Sequence, residues 1–374
     1  MPIGSVAIIG TRGYPSFYGG FETLIRKLAP FLADRGWDVS VYGRPGTTDD
    51  CASDRHPQVE SITTRGIESK TMSTLTYGAS SVLDAARRRP DVALVMNVAN
   101  GYWLPALKAR RIPTVINVDG IEWERAKWGT LAKTVFKSGA QMTARFGDVL
   151  VCDSHEIASY WRENFRRDSV FIAYGGDIPS RKLPTVKGLR RQGYALMVAR
   201  FVPENTVSEF VDAAETLSDL HDIVIVGSSG YGGPLDDKVR ALSQRRERVI
   251  WMGQIADDSK LFSLWQNAGT YFHGHSVGGT NPALVQAMAC GAPTVARNTV
   301  YNREVLEDSG VFVAPDPGDI ANAIHSVMNS PQLQRSLGIG AQERAQAVYQ
   351  WDDICAHYEN TLRVAMRSKT RGCG

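Results

Sequence analysis

The residues with the clearest chemical potential lie in Tyr271–Pro293, which reads YFHGHSVGGTNPALVQAMACGAP. A short apolar strand leads into a glycine-rich turn, where Gly278 and Gly279 let the backbone approach a ligand closely. Either Thr280 or Asn281 can cap a helix that starts with a proline. Backbone N–H groups at such a helix start bind phosphate groups well. The stretch therefore predicts a phosphate-binding turn, with an ordinary strand-to-helix connection as the alternative.

The glycines near the N-terminus do not follow a cofactor-binding pattern. The turn Thr11–Gly20 is glycine-rich but lacks both the GxGxxG spacing and the lysine of a P-loop. A dinucleotide site also needs an acid near the end of the second strand, where this chain has Gly43 and Arg44. A nicotinamide dehydrogenase and a P-loop NTPase are therefore poor fits.

The apolar pattern of the chain predicts an α/β protein, because short apolar strands alternate with amphipathic helices. The alternation stops in the glycine- and proline-rich residues 174–193 and then restarts, which indicates two Rossmann-like parallel-sheet domains facing a cleft. Ligands of such sheets bind at the carboxyl ends of the strands, where the loops Thr11–Gly20 and Gly274–Asn281 are expected. The predicted divisions are an N-terminal domain at 1–178, a linker at 179–193, a C-terminal domain at 194–350, a last helix at 351–367 and a tail at 368–374.

The composition is that of a globular protein, with 43% hydrophobic and 22% charged residues among 374. No apolar run reaches the roughly 20 residues that span a bilayer. The N-terminal residues lack the pattern of a signal peptide, which favours a cytoplasmic location. The five cysteines have no metal-ligand spacing, and a net charge of +3 does not indicate nucleic-acid binding.

Residues 125–147 form a basic segment that contains no acid. Apolar residues separate its cations, which are Arg125, Lys127, Lys133, Lys137 and Arg145. This mixture is typical of an amphipathic segment on an anionic membrane surface, and predicts peripheral contact with the inner face of the cell membrane. The alternative, which we favour on the sequence alone, is a solvated helix face whose apolar side packs on its own domain.

Five segments in chain order carry a family resemblance: VAIIGTRGYPSFYGGFET, VDGIEWERAKWG, YGGD, RFVPEN and GHSVGGTNPALVQAM. Together they resemble retaining glycosyltransferases of the GT-B fold, family 4, and especially a bacterial subgroup that includes rhamnosyltransferases of capsule and exopolysaccharide assembly. The resemblance extends over nearly the whole chain. It implies an acceptor-side N-terminal domain, a C-terminal domain that binds a nucleotide sugar, and a last helix, from Trp351, that crosses back to the N-terminal domain. It also implies that neither a metal nor a cofactor is needed.

The resemblance implies a donor site in the C-terminal domain. Relatives bind the donor diphosphate with an arginine and a lysine five residues later, and the matching positions are Arg200 and Asn205. Two family glutamates, near the sugar and the ribose, correspond to Gly278 and Gln286, so Arg200 and backbone N–H groups must carry the recognition. A surface ion pair for Arg200 and a water-facing helix position for Gln286 are the alternatives. The expected donor-binding residues are Gly19, Gly20, Arg200, Asn205, Gly278, Gly279, Thr280, Asn281, Gln286 and Glu304.

The acceptor side is expected after the strands of the N-terminal domain. Many relatives carry a histidine near the reacting sugar, and Asp119 is the substitute at that place, expected to act in catalysis with Arg200. The further acceptor-side residues are Glu22, Asn97, Glu122 and Trp123. Trp123 can stack on a sugar face or pack inside the domain, and Glu22 can simply complement a helix dipole.

The implied reaction is transfer of a sugar from a nucleotide-diphosphate donor, with retention at the anomeric carbon, to a glycan or lipid-linked acceptor. L-Rhamnose from dTDP-rhamnose is the first expectation, since Gln286 is compatible with a deoxyribose nucleotide. Two carboxylates flanking the bond are not apparent at a shared site, so departure of the diphosphate must be stabilised by Arg200 and backbone N–H groups. The alternatives are a nucleotide-sugar 2-epimerase and a non-catalytic sugar-nucleotide-binding protein.

Overall fold

A computed structural model describes residues 3–16, 19–48, 55–69, 72–118, 120–125 and 128–371, with side chains up to residue 367 in the last helix. The strands in these ranges are β1 (Gly4–Ile9), β2 (Trp37–Gly43), β3 (Val59–Thr63), β4 (Val92–Met96), β5 (Thr114–Asn117), β6 (Val149–Cys152), β7 (Val170–Phe171), β8 (Tyr194–Val198), β9 (Asp222–Val226), β10 (Val249–Trp251), β11 (Thr270–His273), β12 (Thr294–Arg297) and β13 (Gly310–Val313).

The helices are α1 (Gly20–Asp34), α2 (Ser73–Arg88), α3 (Leu104–Ala109), α4 (Thr130–Phe146), α5 (His155–Phe165), α6 (Val207–Leu217), α7 (Pro234–Arg245), α8 (Asp258–Asn267), α9 (Pro282–Ala289), α10 (Val300–Leu306), α11 (Pro317–Met328), α12 (Pro331–Val348) and α13 (Trp351–Arg371). Short 3₁₀ turns cover Val98–Trp103, Glu122–Glu124 and Pro203–Asn205. The chain divides into two compact units, unit 1 with Met1–Tyr174 and Trp351–Gly374, and unit 2 with Gly175–Gln350.

The sheet of unit 1 is parallel, in the order β3-β2-β1-β4-β5-β6-β7. Its central strands are covered on both faces, and every residue of β4 (VALVM) is buried. Such continuous apolar strands are what a parallel sheet between two helix layers requires. The strand order reverses between β1 and β4, which pair at Val6–Val92 and Ile8–Leu94. The loops after these two strands therefore emerge side by side at the carboxyl edge.

The last helix, α13, packs on unit 1, as the predicted GT-B fold requires. Asn117 at the end of β5 donates from Nδ2 to the Tyr358 hydroxyl at 2.7 Å, and Trp37 Nε1 donates to Glu359 Oε1 at 3.1 Å. Glu359 also pairs with Arg363 at 2.6 Å. The helix continues to Arg371, so residues 368–371, expected as part of a tail, are helical.

Unit 2 repeats the architecture with the parallel order β10-β9-β8-β11-β12-β13. Phe210 of α6 stacks on Phe272 of β11 at 5.1 Å in a core between the sheet and helices α6, α7, α11 and α12. The expected linker contains no strand or helix over residues 179–193. It is nevertheless fastened to α8, because Leu183 N donates to Gln266 Oε1 at 2.6 Å and Gln192 N to Asn267 O at 2.7 Å.

The contact between Asn117 and Tyr358 generates a stability prediction. Tyr358→Phe removes the hydroxyl that accepts from a buried amide, and we expect it to lower the free energy of unfolding by about 1–3 kcal/mol. Urea denaturation measures the change. The control is Tyr231→Phe, where the ring is 82% exposed and the expected effect is within about 0.5 kcal/mol. Equal effects of the two substitutions would contradict a docking role for Tyr358.

Candidate functional site

The candidate site of unit 2 lies where its strand order reverses. Strands β8 and β11 are neighbours, with Leu196 opposite Tyr271 and Met197 opposite Phe272. The loop after β8 carries Arg200 and the loop after β11 carries Gly278–Asn281. The fold thus brings together at one edge the two segments that the sequence analysis assigned to the donor.

Hydrogen bonds tie these two loops to each other. Thr206 Oγ1 donates to Gly274 O at 2.6 Å, and Ser276 N donates to Glu204 O at 2.9 Å. Arg297, at the end of β12, donates from Nη1 to Thr206 Oγ1 at 3.0 Å. Thr206 is fully buried and has φ +56°, a left-handed conformation that β-branched residues rarely adopt. Strain of this kind persists only where the surroundings hold the residue in place.

The glycine-rich turn has the predicted form. Asn281 caps α9, because its Oδ1 accepts from Ala283 N at 3.0 Å, which confirms one of the two predicted caps. Gly278 has φ +106°, where a side chain would be strained. Within the described ranges, the N–H groups of Gly278 and Gly279 have no hydrogen-bond partner in the protein. Since the capping side chain already uses the N–H of Ala283, an anion at this turn must bind the N–H groups that precede the helix.

Arg200 is exposed, and no ion pair holds its guanidinium in the described part of the chain, so the surface ion pair considered as an alternative is absent there. Asn205 is 4% exposed and donates from Nδ2 to Arg200 O at 2.9 Å. The Asn205 amide, at the position where the resembling glycosyltransferases carry a lysine, therefore shapes the loop that carries Arg200. Between them, Glu204 is buried, and its Oε2 has no hydrogen-bond partner among the described residues.

Gln286 was expected to contact the ribose of the donor or to face water, and its observed environment differs from both. It is 9% exposed, so it does not face water. Its Oε1 accepts from Asp177 N at 2.9 Å, and its Nε2 donates to Asp177 O at 2.8 Å. This two-bond contact fixes the Gly176-Asp177 backbone against α9, because an irregular segment needs partners for its peptide groups. The geometry thus favours a positioning role for Gln286 over a direct bond to a ribose hydroxyl.

A buried histidine ends β11, the strand that precedes the turn. His273 Nδ1 lies 3.0 Å from the Tyr271 hydroxyl, and its ring stacks on that of His275 at 4.4 Å. Burial, with a further contribution from His275, holds the pKa of His273 well below its ordinary value of 6.5. The neutral imidazole is therefore part of the native state. Glu304, on α10, is half-buried, and its carbonyl accepts from Arg344 Nη2 at 2.8 Å.

The corresponding edge of unit 1 lies between β1 and β4. Glu22 is buried, and its Oε1 accepts from Arg12 N at 3.0 Å, which ties the first turn of α1 to the loop that follows β1. The predicted donor residues Gly19 and Gly20 are half-buried at the start of α1. Asn97 has φ +71°, and its Oδ1 accepts from Ala99 N at 2.9 Å.

The predicted acceptor-side aromatic residue packs inside unit 1. Trp123 is 8% exposed, donates from Nε1 to the Tyr160 hydroxyl at 3.0 Å and meets the Phe165 ring at 5.9 Å. Stacking of Trp123 on a sugar is therefore not supported, because its faces are covered. Glu122 is buried and pairs with Arg125 at 2.6 Å. The predicted catalytic residue Asp119 lies outside the described residues.

Some residues of the site escaped the sequence analysis. Thr206 received no role from the sequence, because no local pattern signals a β-branched residue in the left-handed region. Glu204 lies inside the RFVPEN segment but received no role. Across the described ranges, no group of three or more His, Cys, Asp or Glu side chains is arranged to hold a metal ion, and no helix is long and apolar enough to span a bilayer.

Two family models match the chain. Residues 3–177 match a domain of unknown function, DUF1972, and residues 183–344 match glycosyl transferases group 1. Among curated proteins, the O-antigen chain mannosyltransferase B of Escherichia coli is 28% identical over 196 residues, covering 50% of each chain. The phosphatidyl-myo-inositol mannosyltransferase of Mycobacterium leprae is 26% identical over 229 residues, covering 58% of this chain and 59% of the relative. The chain spans about half the length of the curated relatives it matches.

Solved structures identify the fold. Sucrose-phosphate synthase from Thermosynechococcus elongatus superposes with a TM-score of 0.79 at 19% identity, covering 97% of this chain and 99% of the other. The Anabaena protein HepE in complex with UDP superposes with a TM-score of 0.72 at 18% identity, covering 97% and 100%. The chain therefore has the GT-B fold of two Rossmann-like parallel-sheet domains, as predicted.

Burial of His273 generates a pH prediction. Because its native pKa lies below 6.5, the unfolded chain binds more protons than the native protein once the pH falls below that value. The free energy of unfolding should therefore decrease on acidification from pH 7 to pH 5, by up to about 1.4 kcal/mol per pH unit for this group. His273→Gln keeps a hydrogen-bonding side chain beside Tyr271 but cannot titrate, so its pH slope should be shallower. Equal slopes in urea denaturation would contradict this assignment.

Proposed function

We propose that this protein is a glycosyltransferase that moves a sugar from a nucleotide-diphosphate donor to a glycan or lipid-linked acceptor. The observation that carries the proposal is that exposed Arg200 and the unpaired N–H groups of Gly278 and Gly279 lie on two hydrogen-bonded loops at one sheet edge. A cation and free N–H groups suit a diphosphate. The match of residues 183–344 to glycosyl transferases group 1 supports the same reading.

For the mechanism, we propose transfer with retention and without a metal ion. The diphosphate leaves as an anion, and its developing charge is stabilised by Arg200 and the N–H groups of Gly278–Asn281. The leaving phosphate then accepts the proton of the incoming hydroxyl on the same face of the sugar. Gln286 contributes by holding the Gly176-Asp177 backbone, and Glu204 offers a buried carboxylate oxygen that can accept a bond from a hydroxyl.

For the donor, we propose a hexosyl nucleotide, with dTDP-L-rhamnose as the first candidate by resemblance. The names of the similar proteins add further nucleotide sugars to the donors that need to be tested. Two of them are mannosyltransferases by name, and HepE structures contain UDP or UDP-glucose. A donor panel therefore needs GDP-mannose and UDP-glucose beside dTDP-rhamnose.

For the acceptor, we propose a glycan or lipid-linked acceptor presented at the cytoplasmic face of the cell membrane. The basic segment 125–147 would then be in contact with lipid. The support comes from α4, where Leu131 is 80% exposed and the cations Lys137 and Arg145 are exposed as well. Arg125 is excluded from this contact, because its guanidinium pairs with Glu122. Lys127 lies outside the described residues.

The test is incubation of the full chain with each donor of the panel, followed by analysis of the nucleotide and the sugar. Release of nucleoside diphosphate with one donor, accelerated by an acceptor glycan, is expected. Sugar interconverted at C2 without release of nucleotide would identify an epimerase instead. Binding of a donor without turnover, under every acceptor tried, would identify a non-catalytic sugar-nucleotide-binding protein.

Removal of the exposed cation tests the donor site directly. Arg200→Ala should weaken binding of the nucleoside diphosphate by roughly 1.5–3 kcal/mol, about tenfold to 150-fold in Kd, because a charge-assisted hydrogen bond is lost. Isothermal calorimetry measures the change. Arg245→Ala removes an exposed arginine of α7 that pairs with Glu215 at 3.5 Å, and should leave the affinity unchanged. An unchanged affinity in Arg200→Ala would remove this residue from the site.

A further inference from the structure

An open cavity of about 460 Å³ lies between α4 and α5 of unit 1. Most of its wall comes from the second half of each helix, and the lining residues are Lys137, Gln141, Ala144, Arg145, Tyr160, Asn164 and Phe165. The volume lies in the range of small-ligand pockets. In a parallel sheet, each crossover helix returns the chain from the carboxyl edge to the amino edge. The cavity is therefore displaced toward the amino ends of the strands, away from the candidate site of unit 1.

The charged residues that line this α4–α5 cavity have one sign. Lys137 and Arg145 are both exposed at its wall, and none of its lining residues is a carboxylate. The acid of the loop after α5, Asp168, is held by Arg162, with Nε 2.9 Å from Oδ1. Because the lining contains two cations and no carboxylate to neutralise them, the cavity favours a dianionic ligand such as a phosphate.

Hydrogen bonds within unit 1 hold the polar groups of Tyr160 and Asn164 on α5 in place. The Tyr160 hydroxyl accepts from Trp123 Nε1 at 3.0 Å, which leaves its own hydrogen for donation to a ligand. Asn164 donates from Nδ2 to Tyr160 O at 3.0 Å, which leaves its Oδ1 as an acceptor. Phe165 packs on Trp161 at 4.6 Å and forms an apolar wall. The cavity thus offers cations and a hydroxyl beside a rigid aromatic surface.

Helix capping does not account for the two cations. The last turn of α4 ends in carbonyl groups that favour positive charge. Arg167 already serves them, because its guanidinium donates to the carbonyl groups of Ala144, Gly147 and Asp148, the last two at 2.9 and 3.2 Å. Lys137 lies more than two turns from this helix end, and both it and Arg145 line the cavity.

We propose that the α4–α5 cavity is a binding site for the phosphate group of an organic phosphate ester, built from residues other than those of the donor site. Lys137, Arg145 and the Tyr160 hydroxyl bind the phosphate oxygens, and the Phe165 wall covers the organic part. A soluble phosphate ester and an anionic phospholipid headgroup share this chemistry. The site does not depend on the proposed transfer reaction, although Lys137 and Arg145 also belong to the basic segment 125–147 that is proposed to contact lipid.

The test measures acetylation of individual lysines in the full chain by mass spectrometry. The probes are sn-glycerol 3-phosphate and, in a second arm, phosphatidylcholine vesicles with and without phosphatidylglycerol. Lys137 should react about tenfold more slowly at a ligand concentration about ten times Kd, because the bound phosphate occludes its amine. Lys108, exposed on α3 outside the cavity, is the internal reference and should react at an unchanged rate.

Two variants complete the test. Arg145→Gln should abolish the protection of Lys137, and Arg110→Gln, the same charge change at an exposed position outside the cavity, should preserve it. Protection by glycerol phosphate identifies a soluble ester as a sufficient ligand, and protection only by phosphatidylglycerol vesicles identifies a lipid headgroup. Absence of protection in both arms, equal protection of Lys108, or full protection in Arg145→Gln would each overturn the proposal, whatever the outcome of the transferase assay.

Discussion

The constraint on which this structure depends is the reversal of strand order in each parallel sheet. Parallel neighbours need crossover connections, and these are almost always right-handed, so the chain can build outward from its first strand only by changing direction once. In unit 2 the change falls between β8 and β11, and in unit 1 between β1 and β4. Two loops that are distant in sequence are thereby left without a covering helix between them, which creates a place where a ligand can reach the backbone.

The candidate donor site lies at this opening in unit 2 and contains few charged side chains. Arg200 supplies one cation, and the turn at Gly278 and Gly279 supplies N–H groups, while the positions where the resembling family has charged side chains hold Asn205, Gly278 and Gln286. The bond from Thr206 to Gly274 joins the two loops, and the left-handed conformation of Thr206 shows how tightly they are held. A backbone-lined site of this kind depends on loop geometry, because N–H groups cannot adjust as a long side chain can.

Several polar residues that the sequence suggested as ligand contacts turn out to support irregular backbone. Glu22 binds the N–H of Arg12, Asn205 binds the carbonyl of Arg200, and Gln286 binds both peptide groups of Asp177. One physical reason covers all three. Glycine-rich loops leave peptide groups without helix or sheet partners, and buried peptide groups must be satisfied by nearby side chains. A polar residue next to such a loop therefore has a structural use as well as a chemical one.

The family resemblance implied the return of the last helix to unit 1, whereas the residues by themselves determined the two parallel-sheet domains and the glycine-rich turn that leads into a capped helix. These follow from local signals, since apolar periodicity, glycine and capping residues act over a few positions. Only the tertiary structure decided that Trp123 packs on Phe165, that Gln286 holds Asp177, and that Lys137 and Arg145 share a cavity with Tyr160. Those contacts join residues that lie far apart in the chain or on different elements, and their side-chain directions are set by packing, which no local pattern encodes.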